Sequence, residues 1–66
     1  MTIKLNGKAT QIEAAWTILN LLQHLGYQDK RIAVERNGDI VPKSLHGRTQ
    51  LAEGDQLEIV VAVGGG

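Results

Sequence analysis

The last strand-like segment constrains this chain most. From Gln56 to Val63 the residues are Gln-Leu-Glu-Ile-Val-Val-Ala-Val. With period two, Leu57, Ile59, Val61 and Val63 share one face, and Glu58, Val60 and Ala62 share the other. A strand this apolar is expected to be central in a sheet, with the first strand as a neighbour and the face away from the helix meeting water or a partner. The rest of the chain must therefore supply flanking strands and a cover for at least one face. It has little material for the task. There are 66 residues, no Cys and no Phe, and Leu, Ile and Val number nineteen. That suffices for one small core and one domain, over residues 1–63, with residues 64–66 as a tail.

The flanking elements are legible from turn and cap chemistry. Ile3 and Leu5 alternate with Thr2, Lys4 and Asn6. Asn6-Gly7 then marks a type I′ hairpin, whose two central residues need positive φ. Lys8 to Ile12 returns as a weaker strand. Thr17 reads as the N-cap of a helix over Ile18–Leu25 that ends at Gly26. A start near Glu13 is the alternative. Ile18, Leu19, Leu22 and Leu25 form its expected buried stripe, and Trp16 with Leu21 a hydrophobic staple. Ile32–Arg36 is a third strand, and Asn37-Gly38-Asp39 turns it into Ile40-Val41. Pro42 cannot donate to a ladder, so that short strand is expected at an edge. Lys43–Gln50 is irregular, with Leu45 its expected inward anchor. Glu53-Gly54-Asp55 is a turn. The result is α+β: a mixed sheet of four to five strands with one main helix on one face.

Composition excludes several function classes. Seven basic residues balance seven acidic ones, so no global field attracts nucleic acid or an anionic membrane. No apolar run reaches the roughly 20 residues of a membrane span. Met1–Gly7 lacks the pattern of a signal peptide, so a cytoplasmic protein is expected. Without Cys there is no catalytic thiol and no thiolate zinc site. His24 and His46, with no carboxylate at ligand spacing, do not suggest a metal site, and both read as surface histidines. The carboxylates are scattered, and Glu53 and Asp55 bracket a turn glycine. The seven Lys and Arg, Arg36 among them, read as solvated charges. Trp16 alone is not a nucleic-acid surface. A chain this small does not enclose an active site, so it is not expected to be an enzyme.

Three of the eight glycines, Gly64, Gly65 and Gly66, come directly after the apolar strand. A glycine tail presents the thinnest backbone and reaches roughly 10 Å when extended. It can thread a channel in another protein and deliver the Gly66 α-carboxylate, ionised at neutral pH. A carboxylate is a poor acyl donor, but it can attack the α-phosphate of ATP to give an acyl adenylate. The chain has no Walker-type loop for Mg–ATP, so a partner enzyme must supply that site.

The hairpin, the helix, Asn37-Gly38-Asp39-Ile40-Val41-Pro42-Lys43, Glu53-Gly54-Asp55-Gln56-Leu57-Glu58-Ile59-Val60 and Ala62-Val63-Gly64-Gly65-Gly66 together closely resemble the ThiS family, the sulfur carriers of bacterial thiamine biosynthesis. The resemblance covers essentially the whole chain. The diglycine end alone is common to ubiquitin-like carriers; the combination is more specific. One departure is that many relatives carry an aromatic residue near His46.

The resemblance implies a β-grasp, ubiquitin-like fold and a carrier cycle. Gly66 is adenylated by an E1-like enzyme of the ThiF type, which supplies ATP and Mg²⁺; no cofactor is bound by the carrier itself. A cysteine-desulfurase persulfide supplies sulfur, and the Gly66 thiocarboxylate donates it to a thiazole synthase of the ThiG type. Gly64 and Gly65 are the residues recognised in the tail. The outward Val60 and Ala62 are candidates for the centre of the docking surface. The alternatives are a carrier for molybdopterin or another sulfur product, a ubiquitin-like modifier joined to lysines, and a non-covalent binding module.

Overall fold

The computed structural model describes residues 1–27 and 30–62. In chain order the elements are β1 (Thr2–Leu5), β2 (Lys8–Gln11), α1 (Ile18–Leu25), β3 (Ile32–Arg36), β4 (Asp39–Ile40) and β5 (Gln56–Val61), with a single 3₁₀ turn at Lys43–Leu45. The described strands form one sheet in the order β2-β1-β5-β3-β4. The apolar β5 is central, and its faces differ: Leu57 and Ile59 are buried, Glu58 and Val60 exposed. It runs parallel to β1 and antiparallel to β3. The Pro42-limited strand lies at the edge beside β3.

Both Asn-Gly turns have positive φ at their two central residues: 51° and 81° at Asn6-Gly7, 51° and 91° at Asn37-Gly38. Those values suit the twist of a two-residue hairpin.

Helix α1 begins at Thr17, which rules out the earlier start. The Thr17 hydroxyl accepts from the Asn20 N–H at 3.2 Å, and the Asn20 side-chain oxygen accepts from the Thr17 N–H at 2.9 Å. This reciprocal pair is a capping box. The next open donors go to the segment after the 3₁₀ turn: Ile18 N–H to the Thr49 carbonyl and Leu19 N–H to the His46 carbonyl, both at 3.0 Å. At the other end Gly26 adopts φ 78°, and Tyr27 N–H donates to the Leu22 carbonyl at 2.8 Å. An eight-residue helix is marginal alone in water, so these anchors and its buried face hold it.

The core joins Ile18, Leu21 and Leu22 of α1 to Ile3, Val34, Leu57 and Ile59 of the sheet, with Ile12 and Leu51 closing its ends. Burying each such side chain contributes about 1.5–3 kcal/mol before entropy is counted. Two expectations need correction. The buried stripe uses Leu21 rather than Leu19, which is 37% exposed, and Leu25 is only half-buried. The sheet meets the helix along the Ile18–Leu21–Leu22 line, and Leu19 lies off it. Leu45 is 42% exposed, so it is no inward anchor; His46 (4%) and Leu51 point inward instead. The 3₁₀ turn ends at Leu45, and the next residue, His46, is tied to the helix by its carbonyl, which accepts from Leu19 N–H.

Candidate functional site

The site expected from the sequence is the end of β5 together with the glycine tail. Gly64, Gly65 and Gly66, together with Val63, lie outside the described residues. The described part is the base from which they leave.

The strand that leads to it is held from both sides by the two Asn-Gly turns, Asn6 at Ile59 and Asn37 at Gln56. Beyond β1, the Asn6 side chain takes over the ladder: its oxygen accepts from Ile59 N–H at 2.8 Å, and its amide donates to the Ile59 carbonyl at 3.3 Å. On the other side Asn37 accepts from Gln56 N–H at 2.9 Å and donates its own backbone N–H to the Gln56 carbonyl at 2.8 Å. An Asn side chain carries the same donor and acceptor as a peptide unit, so it can complete a strand pairing that the turn has ended. The exit is held as well, since Ala62 N–H donates to the Arg31 carbonyl at 2.9 Å. Sequence reading finds the turns but not the clamps, because the partner lies 53 residues away at Asn6 and 19 away at Asn37.

Asp55, at the entry to β5, is a buried carboxylate. It accepts from Arg36 Nε at 2.8 Å, from the Ala52 N–H at 2.8 Å and from the Asn37 amide at 3.1 Å. Burial pushes its carboxyl up, but the bonds from Arg36, Ala52 and Asn37 outweigh this and hold it below the ordinary aspartate range. Arg36 is thus an ion-pair partner rather than a solvated charge. Asp55 does more than shape a turn: it ties the β3–β4 hairpin to the start of β5.

Val60 and Ala62 lie on the side of the sheet away from α1, and Val60 is 62% exposed. The register sets Ala33 opposite Val60, Glu35 opposite Glu58 and Ile40 opposite Glu35. Ala33 and Ile40 are also exposed. The surface leading to the tail is therefore apolar, with a pair of directly opposed carboxylates at its border. Such a like-charge pair weakens the sheet slightly.

The histidines divide. His24 is exposed, its ring centroid 5.2 Å from that of Trp16. His46 is buried, contrary to the surface reading, and its Nε2 lies 3.0 Å from the Val41 carbonyl. A carbonyl only accepts, so Nε2 carries the proton. Among the described residues no group of three or more His, Asp or Glu comes together as a metal site. No described helix is long and apolar enough to cross a membrane.

Comparison with known proteins adds the family. The ThiS family model matches residues 3–66, the glycine tail included. The chain is 42% identical over 66 residues to a thiazole synthase of Paramagnetospirillum magneticum, but spans only 20% of that protein's length. It is 37% identical over 65 residues to the sulfur carrier protein ThiS of Bacillus subtilis, covering 98% of it. The crystal structure of the thiamine biosynthesis protein ThiS from Geobacter metallireducens superimposes over 100% of both chains, with a TM-score of 0.84 at 28% identity. The described five-stranded sheet with helix α1 is thus the β-grasp arrangement of that structure. On the strength of a match over nearly its full length, this chain belongs to the ThiS family.

Proposed function

We propose that this chain is a sulfur carrier of thiamine biosynthesis, serving as a substrate of its partner enzymes in the cytoplasm rather than as an enzyme itself. The observation that carries this reading is the family match through residues 3–66, which includes all three tail glycines.

The chemistry runs through Gly66. Its carboxylate oxygen attacks the α-phosphorus of Mg–ATP held by an E1-like enzyme of the ThiF type, and pyrophosphate leaves. The acyl adenylate is then attacked by the terminal sulfur of a persulfide made by a cysteine desulfurase, and AMP leaves. A second thiol then attacks the desulfurase cysteine's sulfur in the resulting acyl disulfide; a new disulfide forms with that cysteine, the acyl S–S bond breaks, and the carrier leaves as the thiocarboxylate. A thiazole synthase of the ThiG type receives that sulfur. The tethered sulfur stays nucleophilic without release as sulfide. Gly64 and Gly65 pass the narrow entrance that a residue with Cβ would block. The likeness to a thiazole synthase supports thiazole, rather than molybdopterin, as the destination.

The exposed face around Val60 and Ala62 is the docking surface for these enzymes. It is apolar at the centre and acidic at Glu35 and Glu58, and it adjoins the base of the tail.

Intact-mass spectrometry with Mg–ATP, a ThiF-type enzyme and a persulfide donor tests the reading. The expected result is exchange of one terminal oxygen for sulfur, abolished by deletion of Gly66. Failure to form either adenylate or thiocarboxylate with the matching enzymes would sink it.

A further inference from the structure

The register between β3 and β5 sets Glu35 directly opposite Glu58, on the face of the sheet away from α1. The Asn37–Gln56 and Arg31–Ala62 pairs to either side each carry a backbone hydrogen bond. Glu35 and Glu58 therefore fall in the hydrogen-bonded phase of the ladder, with about 5.5 Å between Cα atoms. Like charges so placed oppose folding, and no cation of this chain relieves them. Among the described residues the ion pair formed is Arg36 with Asp55, and neither glutamate has a salt-bridge partner. Residues 28–29 and 63–66 contain no Lys or Arg. A pairing that breaks a local rule without compensation within the chain points to a function.

The two carboxylates border an open hollow of about 310 Å³ between the turn glycines Gly7 and Gly38. Lys4 lines it too, so two negative charges face one positive charge. Neither glycine has an atom within 4 Å of where a Cβ would stand, so nothing from the turns fills the space. Apolar surface flanks the pair. Ile40 lies opposite Glu35, Val60 follows Glu58 on the same face, and both are exposed. The occupant must therefore meet two carboxylates at once and tolerate apolar neighbours. A metal ion is a poor fit, because among the described residues no third His, Asp or Glu joins the pair. A guanidinium fits: it is planar, weakly hydrated and presents five N–H donors in a fork, on a stem that packs against apolar side chains. An ammonium is a strongly hydrated point charge.

We propose that Glu35 and Glu58 seat an arginine of the docked activating enzyme. Its guanidinium bridges the two carboxylates, and apolar side chains beside it rest on Ile40 and Val60. This rests on the carrier reading, which brings that enzyme to this face. The repulsion between the glutamates is present in the free chain and is relieved in the complex. The seat thus acts in opposite directions on the stability of the free chain and on affinity, which a purely structural role for the pair would not do.

The test uses Glu35→Gln, Glu58→Gln and the double variant of the full chain. Each single change should raise the melting temperature of the free chain. The double variant should bind a ThiF-type enzyme about tenfold or more weakly in calorimetric titration, with a smaller salt dependence than wild type. A second measurement needs no enzyme: NMR titration of the ¹⁵N-labelled chain with acetyl-Leu-Arg-Leu-amide and with its lysine and citrulline analogues. Shifts at Glu35, Glu58 and Val60 should be largest with arginine, smaller with lysine and lost with citrulline, and the double variant should not show them. Undiminished enzyme affinity in the double variant would overturn the proposal. So would an equal response to the arginine and citrulline peptides, or no shifts at these residues. If the wild-type chain forms no complex with the enzyme, the carrier reading fails, and the peptide titration decides the arginine seat by itself.

Discussion

Arg36 Nε lies 2.8 Å from Asp55 Oδ2, with the aspartate side chain only 7% exposed and the arginine 32% exposed. The pair joins the β3–β4 hairpin to the turn that launches the central strand. Its surroundings decide its worth. Asp55 also accepts from Ala52 and Asn37, so its charge is met by donors from three residues rather than by one ion pair. A lone pair at the surface contributes little; a buried carboxylate with its lone pairs satisfied can hold a turn in place.

Asp55→Asn is therefore expected to lower stability by about 1–3 kcal/mol at neutral pH, read from the urea midpoint. The pH dependence has a definite sign. The folded-state pKa of Asp55 is lowered from 3.8. Its stabilising contribution is fully present above that unfolded value and is lost as pH falls through the lower folded one. The gap between wild type and variant should stay constant well above pH 3.8 and narrow in stronger acid. A gap that persists unchanged into acid would show that the carboxylate charge contributes nothing.

Asn6 has two jobs that substitution can separate. Asn6→Gly keeps a residue at ease with the φ of 51° but removes both bonds to Ile59. A loss of about 1–2 kcal/mol is expected, with faster hydrogen exchange at the Ile59 amide. Asn6→Asp, which retains the acceptor for Ile59 N–H, should fall between the two. Wild-type stability in Asn6→Gly would mean that the clamp adds nothing to the turn.

Ala15 carries a φ of 69° without being glycine. An L-residue there costs about 1–2 kcal/mol relative to its preferred conformations. Ala15→Gly should raise stability by about 0.5–1 kcal/mol after the entropy of the freer unfolded chain is counted. The change appears as a higher melting temperature. A lower one would show that the loop before α1 does not need this conformation.

Val60→Glu places a third carboxylate beside Glu35 and Glu58 on the exposed face. Stability should change by no more than about 0.5 kcal/mol, as for most surface substitutions. Affinity for the activating enzyme and the synthase should fall by about tenfold or more, near 1.4 kcal/mol. Calorimetric titration distinguishes the outcomes, and unchanged affinity for both enzymes would place docking elsewhere.

Much of the fold is written in short-range chemistry. Thr17 before an apolar stripe, Gly26 after it, and Asn-Gly at 6–7 and 37–38 specify ends and turns through contacts a few residues apart. The alternation in β5 specifies a central strand. The candidate site was legible only in part. The exposure of Val60 follows from period two, whereas the glycines beyond it are marked by the sequence and lie outside the described residues. The clamps of Asn6 on Ile59 and Asn37 on Gln56 have no local signature, because donor and acceptor meet only once the sheet has formed.

The sequence by itself determined the elements and the family, and marked out the three glycines after β5, since each depends on residue type and spacing along the chain. Tertiary structure decided which side chains count. Leu21 is buried and Leu19 is not because the sheet meets the helix along one line. His46 lies inward and Leu45 outward because the His46 carbonyl caps the helix and its ring bonds the Val41 carbonyl. Arg36 pairs with Asp55 because β3 and the β5 turn, 19 residues apart, become neighbours. Burial and pairing depend on what the rest of the chain brings alongside, and periodicity within one segment does not encode it.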